Sequence, residues 1–361
     1  MVKENLKPRL SEPFPNVPQY WKCPKTSIIV PKFETENVLW RADVLRRAEK
    51  DPILQRDLLA ACRESLLLWV NLFAFTYHQW DIDPITNKRI EATNSHAPFI
   101  SWEIQDELFD RFEYCLKRGL DVLVDKSRDM GASWMCVFFM HWLWLFRPDS
   151  QLLEMSRTQD YVDQTGNMKA LFQKHDYANG WLPDWMLPPN CLFGMKNRTK
   201  MHMMNVVNGS CIDGESTTEH AASGDRRLVI LLDEFSKVEH GRLMRSATKD
   251  AALMRIINST PAGAGTEYSR WKNDGTVAPF VLPFHEHPEK GRDRYVYKTE
   301  MGSYEISSPW LDYEKTVRSP REIAREILRQ DVESGDMFFT KPNIEKHIKM
   351  NYKMSLLFFY L

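Results

Sequence analysis

The sequence predicts an α/β fold: a mostly parallel sheet flanked by helices, preceded by an N-terminal helical segment. Three observations carry this. Short apolar runs bounded by charge, DVLVD (121–125), QLLEMS (151–156), RRLVILLDEF (226–235) and LMRIINST (253–260), read as buried strands. Segments with helical spacing alternate with them, the pattern of a parallel sheet joined by crossover helices. With 361 residues, 43% hydrophobic and 12% aromatic, the chain has ample material for one large core or two ordinary ones.

The elements follow in order. Residues 1–35 hold Pro8, Pro13, Pro15, Pro18, Pro24 and Pro31 and read as an irregular arm. From about Glu36 to Tyr77 the apolar positions Leu54, Leu58, Leu59, Leu66 and Trp69 recur at helical spacing, so 36–94 reads as a helical subdomain ending in the polar loop DIDPITNKRIEATNSHAP. SWEIQDELFDRFEYCLKRG predicts a helix capped by Ser101 and ended by Gly119. After the DVLVD strand, WMCVFFMHWLWLF (134–146) is apolar all round. Its 13 residues fall short of the roughly 20 a membrane span needs, so it reads as a buried helix. TQDYVDQTGNMKALFQKH reads as a helix, WLPDWMLPPN as a proline-broken loop, 191–219 as short strands and turns, and SPREIAREILRQDVES as a late helix.

Net charge is −1, so any basic surface is local. The six cysteines (Cys23, Cys62, Cys115, Cys136, Cys191, Cys211) form no C-x-x-C pair, which argues against a zinc or disulfide scaffold and for a reduced setting. MVKENLKPRL has no apolar signal core.

Four stretches carry chemistry. DVLVDKSRDMGASW places a strand, a short loop and a helix in succession, a geometry that aims backbone N–H groups and the positive helix end at one spot. Against the pattern G-x-x-x-x-G-K-[ST], Gly131 and Ser133 hold the second glycine and hydroxyl positions, Ala132 stands where lysine is usual, and Lys126 occupies the first glycine position. A lysine is a flexible point charge and can reach phosphates from either end of the loop; Arg128 adds a second cation. RRLVILLDEF then sets Asp233 and Glu234 after five apolar residues, where one acid can hold Mg²⁺ and the next can activate water. RIINSTPAGAG ends a strand in Asn258, Ser259 and Thr260, suited to sensing a γ-phosphate or to an ordinary Pro-Gly turn. HAPFISWEIQ offers Phe99 to stack on a base and Gln105 to read an adenine edge, or a surface helix with one core aromatic.

In that order, PFISWEIQ, KSRDMGAS, LVILLDEF and INSTPAG resemble the adenine, Walker A, Walker B and coupling motifs of the ATPase part of the large terminase subunit of tailed bacteriophages. The resemblance spans roughly residues 95–340. LLEMSRTQDYVDQ, HAASGDRRLVILLDEF and DVESGDMFF are similar to further stretches of that family, which often carries its loop lysine at the first position.

The resemblance implies a P-loop ATPase of the ASCE/RecA-like kind that works as a ring on the portal protein, with a small terminase subunit, and drives double-stranded DNA into a procapsid in the host cytoplasm, with no membrane role. Its cofactors are ATP and Mg²⁺. Lys126, Ser127, Arg128, Gly131, Ala132 and Ser133 then line the phosphates, with Phe99 and Gln105 on the adenine side. Ser133 and Asp233 hold Mg²⁺, Glu234 is the catalytic carboxylate, and Asn258, Ser259 and Thr260 couple hydrolysis to movement. Arg157, Arg226 and Arg227 are candidates for an arginine completing a neighbour's site.

Full-length members of the family continue into a nuclease domain that needs converging carboxylates. Here the acids after INSTPAG (Asp293, Glu305, Asp312, Glu314, Asp331, Glu333, Asp336) fall mostly in loops and one helix, and 341–361, ending KMSLLFFYL, reads as a linker or the start of an absent domain. Nuclease activity is not expected of this chain. A helicase-like translocase and a defective prophage fragment without turnover are the alternatives.

Overall fold

The computed structural model of the chain describes residues 3–4, 20–217, 226–299 and 302–332. Most of the N-terminal arm, the HAASGD lead into the Asp-Glu strand, DVESGDMFF after its first two residues, and the 341–361 tail lie outside the described residues.

The centre is an eight-stranded sheet: β1 (Val122–Lys126), β2 (Gln151–Ser156), β3 (Arg198–Thr199), β4 (His202–Asn205), β5 (Ser210–Ser216), β6 (Arg227–Asp233), β7 (Ala252–Ser259) and β8 (Pro279–Leu282), in the order β3-β4-β5-β2-β6-β7-β1-β8. Along the order from β5 to β8 every pairing is parallel, and β4 alone runs against the rest, antiparallel to both its neighbours β3 and β5. The fold is therefore the expected mixed α/β class. β7 lies between β1, which ends in Lys126, and the Asp-Glu strand β6, and register aligns their carboxyl ends: Asp233 opposes Asn258, and Ser259 opposes Asp125. In a parallel sheet this edge is where ligand-handling loops gather.

Helix α5 (Ala132–Phe146) explains its all-round apolar sequence: Phe138, Phe139, Met140, Leu143 and Trp144 are fully buried. It packs between the sheet and the helices α3 (Leu66–Phe73), α4 (Glu103–Arg118) and α6 (Leu171–Trp181). No helix among the described residues is long and apolar enough to cross a membrane.

Several expectations are corrected. The helical pattern of 36–77 forms three helices, α1 (Glu34–Ala48), α2 (Pro52–Glu64) and α3, separated at Asp51 and Ser65, each accepting from backbone N–H as an N-cap. The polar loop that follows folds into small hairpins, Trp80–Ile82 with Arg89–Glu91 and Phe75–Tyr77 with His96–Pro98. Trp102, not Ser101, stands at the N-cap of α4. Ser101 is buried beneath it, accepting from Lys32 Nζ at 3.0 Å and donating to Asp106. Gly119 does end α4 in a left-handed turn at φ 62°.

TQDYVDQTGNMKALFQKH breaks into a single turn, Gln159–Val162, and α6. Between them Gly166 turns at φ 78°, and the Asp163 carboxylate is drawn off to fully buried Arg198 and the Met201 N–H. Among the described residues of SPREIAREILRQDVES, Pro320–Glu322 is α-helical, opened by a capping box, and Ile323–Ile327 continues as a wider π-turn. Strand β8, not expected from the sequence, closes the sheet beside β1.

Candidate nucleotide site at the carboxyl edge of the sheet

Four side chains from three adjacent strand ends and one helix start converge. Lys126 Nζ donates to Ser133 Oγ at 3.2 Å, and Ser133 Oγ donates to Asp233 Oδ1 at 3.1 Å. Asn258 Nδ2 donates to both, at 3.2 Å to Ser133 Oγ and 2.6 Å to Asp233 Oδ1. The lysine at the front of the loop thus reaches the hydroxyl at its back. Asn258 is fully buried, and its Oδ1 has no hydrogen-bond partner.

Gly131 turns the loop into α5 at φ 75°. A side chain there would be strained, and its Cβ would stand 3.0 Å from Gln105 Nε2 and 3.8 Å from Phe99 Cε2. The structure therefore places Gln105 and Phe99 directly against the loop. Gln105 Nε2 donates to Met130 O at 3.2 Å, while its Oε1 is buried without a partner. The Phe99 ring is buried edge-to-face against Phe109 and Phe138.

Glu234 also occupies a left-handed conformation, φ 56°, uncommon for a residue with a side chain. It pairs with Lys237. Burial works against its charge, but Lys237, Lys126 and Arg157 outweigh burial and hold the carboxyl below its ordinary range. The carboxylate is thus ionised and lies within electrostatic reach of the loop lysine.

Two loop residues point elsewhere. Ser127 is buried, its hydroxyl donating to Ile327 O at 2.6 Å and its N–H to Leu282 O. Arg128 pairs with Glu326 at 2.6 Å, and its N–H bonds the Glu326 carbonyl. Ala132 is buried at the start of α5. Of the coupling residues only Asn258 joins the cluster. Ser259 Oγ accepts from Ser236 N at 3.1 Å and donates to Ser236 Oγ at 2.8 Å, and the Thr260 carbonyl accepts from Ser236, tying β7 to the turn after Glu234. Of the three candidate arginines, Arg227 pairs with Asp213 and Arg226 is exposed, whereas Arg157 stacks on Tyr161 at 4.2 Å and acts on Glu234 of its own chain.

The sequence reading missed Lys174. It is buried on α6, donates to Lys169 O and Ala170 O at 3.0 and 3.4 Å, and lies over the Trp134 ring. Burial pushes its pKa down to about 8, against the pull of Asp233, Glu154 and Glu234. It also missed Asp125, which anchors the base of the loop to Arg329 at 3.0 Å and Lys272 at 3.2 Å.

The oxygens present suit a hard cation. Mg²⁺ takes one or two protein oxygens and completes its shell with water and phosphate. The Ser133 hydroxyl and the Asp233 carboxylate supply that set, and Asn258 Oδ1 is the further unpartnered oxygen beside them.

No protein-family model matches the chain, and no curated protein does. Solved structures of phage large terminases overlap it loosely. The ATPase domain of the Thermus phage P74-26 large terminase, in a point-mutant form, aligns with TM-score 0.40 and 14% identity over 64% of this chain and 94% of that one. The large terminase of a thermophilic bacteriophage aligns with TM-score 0.44 and 10% identity over 64% of this chain and 53% of that one. The HK97 bacteriophage large terminase aligns with TM-score 0.40 and 12% identity over 52% and 39%. This chain thus spans about half of the thermophilic phage's protein, which has also been solved with ADP and with ATP-γ-S. Overlaps this loose carry nothing about activity.

Proposed function

We propose that this chain is an ATPase, the motor portion of a terminase large subunit that moves double-stranded DNA. The observation that supports it most is the Lys126–Ser133–Asp233–Asn258 cluster at the carboxyl edge of a parallel sheet, with ionised Glu234 beside it. On this reading Lys126 neutralises the phosphates, assisted by the start of α5. Mg²⁺, held by Ser133 and Asp233, neutralises charge on the phosphate oxygens when bound. Glu234 accepts the proton of the attacking water, and its low pKa keeps it ready as a base at neutral pH. Asn258 bonds Ser133 and Asp233 at once, so a change at either is passed to β7 and, through Ser259, to Ser236. Gln105 and Phe99 brace the loop from behind, Gln105 offering its free Oε1 to an adenine amino group.

DNA, the portal protein, the small subunit and a ring assembly belong to this proposal through the sequence resemblance. A chain of this kind is expected to release phosphate from Mg·ATP faster when double-stranded DNA is added, and not to separate the strands. Strand separation in an unwinding assay would favour a helicase-like translocase. A parent chain that binds Mg·ATP without turnover, alone or with DNA, would favour a defective fragment.

A further inference from the structure

Lys290 lies in HEHPEKGRD, a stretch without periodicity or motif, 159 residues beyond Gly131. Its side chain is buried, 2% exposed, over the ring of Trp310. It has no carboxylate within ion-pair distance among the described residues. Its Nζ instead donates to two consecutive carbonyls of the phosphate loop, Arg128 O at 2.6 Å and Asp129 O at 2.9 Å. A buried cation is costly unless its donors are used, and these two bonds are where they are used. Lys290 is itself held in place, since its own carbonyl accepts from Ser308.

The direction of those carbonyls has a consequence. A trans peptide is planar, with its C=O and the following N–H pointing opposite ways, and the described chain has no cis bond. Carbonyls 128 and 129 turned toward Lys290 therefore turn the N–H groups of Asp129 and Met130 away from it. Asp129, at φ 56°, and Gly131, at φ 75°, curl the intervening backbone. Ser127 and Arg128 spend their N–H groups on Leu282 and Glu326 carbonyls, whereas no backbone carbonyl among the described residues takes those of Asp129, Met130 or Gly131. Successive N–H groups converging from such a curl form an anion-binding concavity.

We infer that Lys290 is a positioning residue of the phosphate site: from behind the loop it holds carbonyls 128 and 129, and so aims the Asp129 and Met130 N–H groups at the bound phosphates. This rests on the nucleotide reading above. The loop lacks the first glycine of the usual pattern, and its conformation is enforced by a lysine from a distant segment. The Lys290 charge also adds to the positive field under the loop, since burial lowers its pKa only to about 8.

The test uses the whole chain with Lys290→Met, which keeps length and removes charge and donors, and Lys290→Arg, which keeps both. Hydrogen exchange without nucleotide reads the loop itself. In the methionine variant the Ser127 and Arg128 amides, the hydrogen-bonded ones of the loop, are expected to exchange about tenfold faster, while those of β6 and β7 are unchanged. Calorimetric titration with Mg·ATP then reads the site. The methionine variant is expected to raise Kd about tenfold at unchanged stoichiometry, and the arginine variant to recover most of that loss. A purely structural role would lower the number of competent sites and leave Kd alone. Unchanged loop exchange, or an unchanged Kd in a methionine variant that folds, would overturn the inference. If the methionine variant does not fold, an arginine variant that folds and binds ten times more weakly overturns it, and one that binds as the parent does supports it. A parent chain that binds no Mg·ATP refutes the nucleotide reading instead, and the exchange arm still decides whether Lys290 orders the loop.

Discussion

Lys126 Nζ and Ser133 Oγ lie 3.2 Å apart, joining the two ends of the loop between β1 and α5. The side chain that usually stands immediately before the hydroxyl is Ala132 here, buried at the head of α5. Replacing Lys126 with alanine is expected to lower ATP turnover by roughly 10²-fold or more with the circular dichroism spectrum intact, because a charge aimed at the phosphates is lost. Adding Ala132→Lys to the parent brings no gain, since that position is enclosed. Parent-like turnover in Lys126→Ala would assign the loop lysine wrongly.

Asn258 bonds Ser133 Oγ and Asp233 Oδ1 and opposes Asp233 across β6 and β7. Asn258→Ala removes both bonds without touching the loop. It is expected to reduce kcat about tenfold or more and to change Kd for Mg·ATP by less, the signature of a group that acts after binding. Steady-state kinetics beside calorimetry separates the two. A rise in Kd with kcat unchanged would make Asn258 a binding residue and nothing more.

His285 is held neutral to about pH 4, by burial first and then by Arg294 and Arg329. Its folded pKa lies below the unfolded value of about 6.5, so the unfolded chain takes up the proton first as pH falls. Stability is full above the unfolded pKa and is lost as pH drops from about 6.5 toward 4. By pH 5 the loss from this residue is about 2 kcal/mol. His141 and His287, also lowered by burial, push the same way. Thermal unfolding between pH 7.5 and 5 is expected to show a falling Tm, and His285→Gln a shallower fall. Parallel curves for the two proteins would remove His285 from the account.

Three of the described acids beyond Thr260 accept from different donors. Glu305 accepts from Tyr297, Asp312 from Ser307 and Tyr295, and Glu314 from Arg318. A two-metal nuclease needs them converging. Supercoiled plasmid incubated with the chain and Mn²⁺ is expected to stay intact. Nicking that survives repurification and vanishes when one of these acids becomes alanine would reveal a second active site.

What the sequence made legible follows from where each signal lies. Asp233, Asn258 and Ser133 sit at strand ends or a helix start, where a short apolar run stops at a polar residue, and register alone brings them together. Lys126 could be placed because it ends such a run. Ser127 and Arg128 share its loop, yet their partners, Ile327 and Glu326, lie about 200 residues away in a segment that reads as plain helix. No local pattern says which way those two side chains turn. The Asp163–Arg198 pair breaks an expected helix in the same non-local way. Lys174 and Lys290 are long-range as well: a lysine in sequence reads as surface, and only the fold shows that each is enclosed.

The central claim is that Asp233 and Glu234 divide metal binding from water activation, and titration of Mg·ATP followed by phosphate release on the same samples tests it most directly. Glu234→Gln is expected to bind Mg·ATP within about threefold of the parent and to release phosphate at least about 10²-fold more slowly, while Asp233→Asn binds about tenfold more weakly. If both variants bind and hydrolyse Mg·ATP as the parent does, the site is elsewhere.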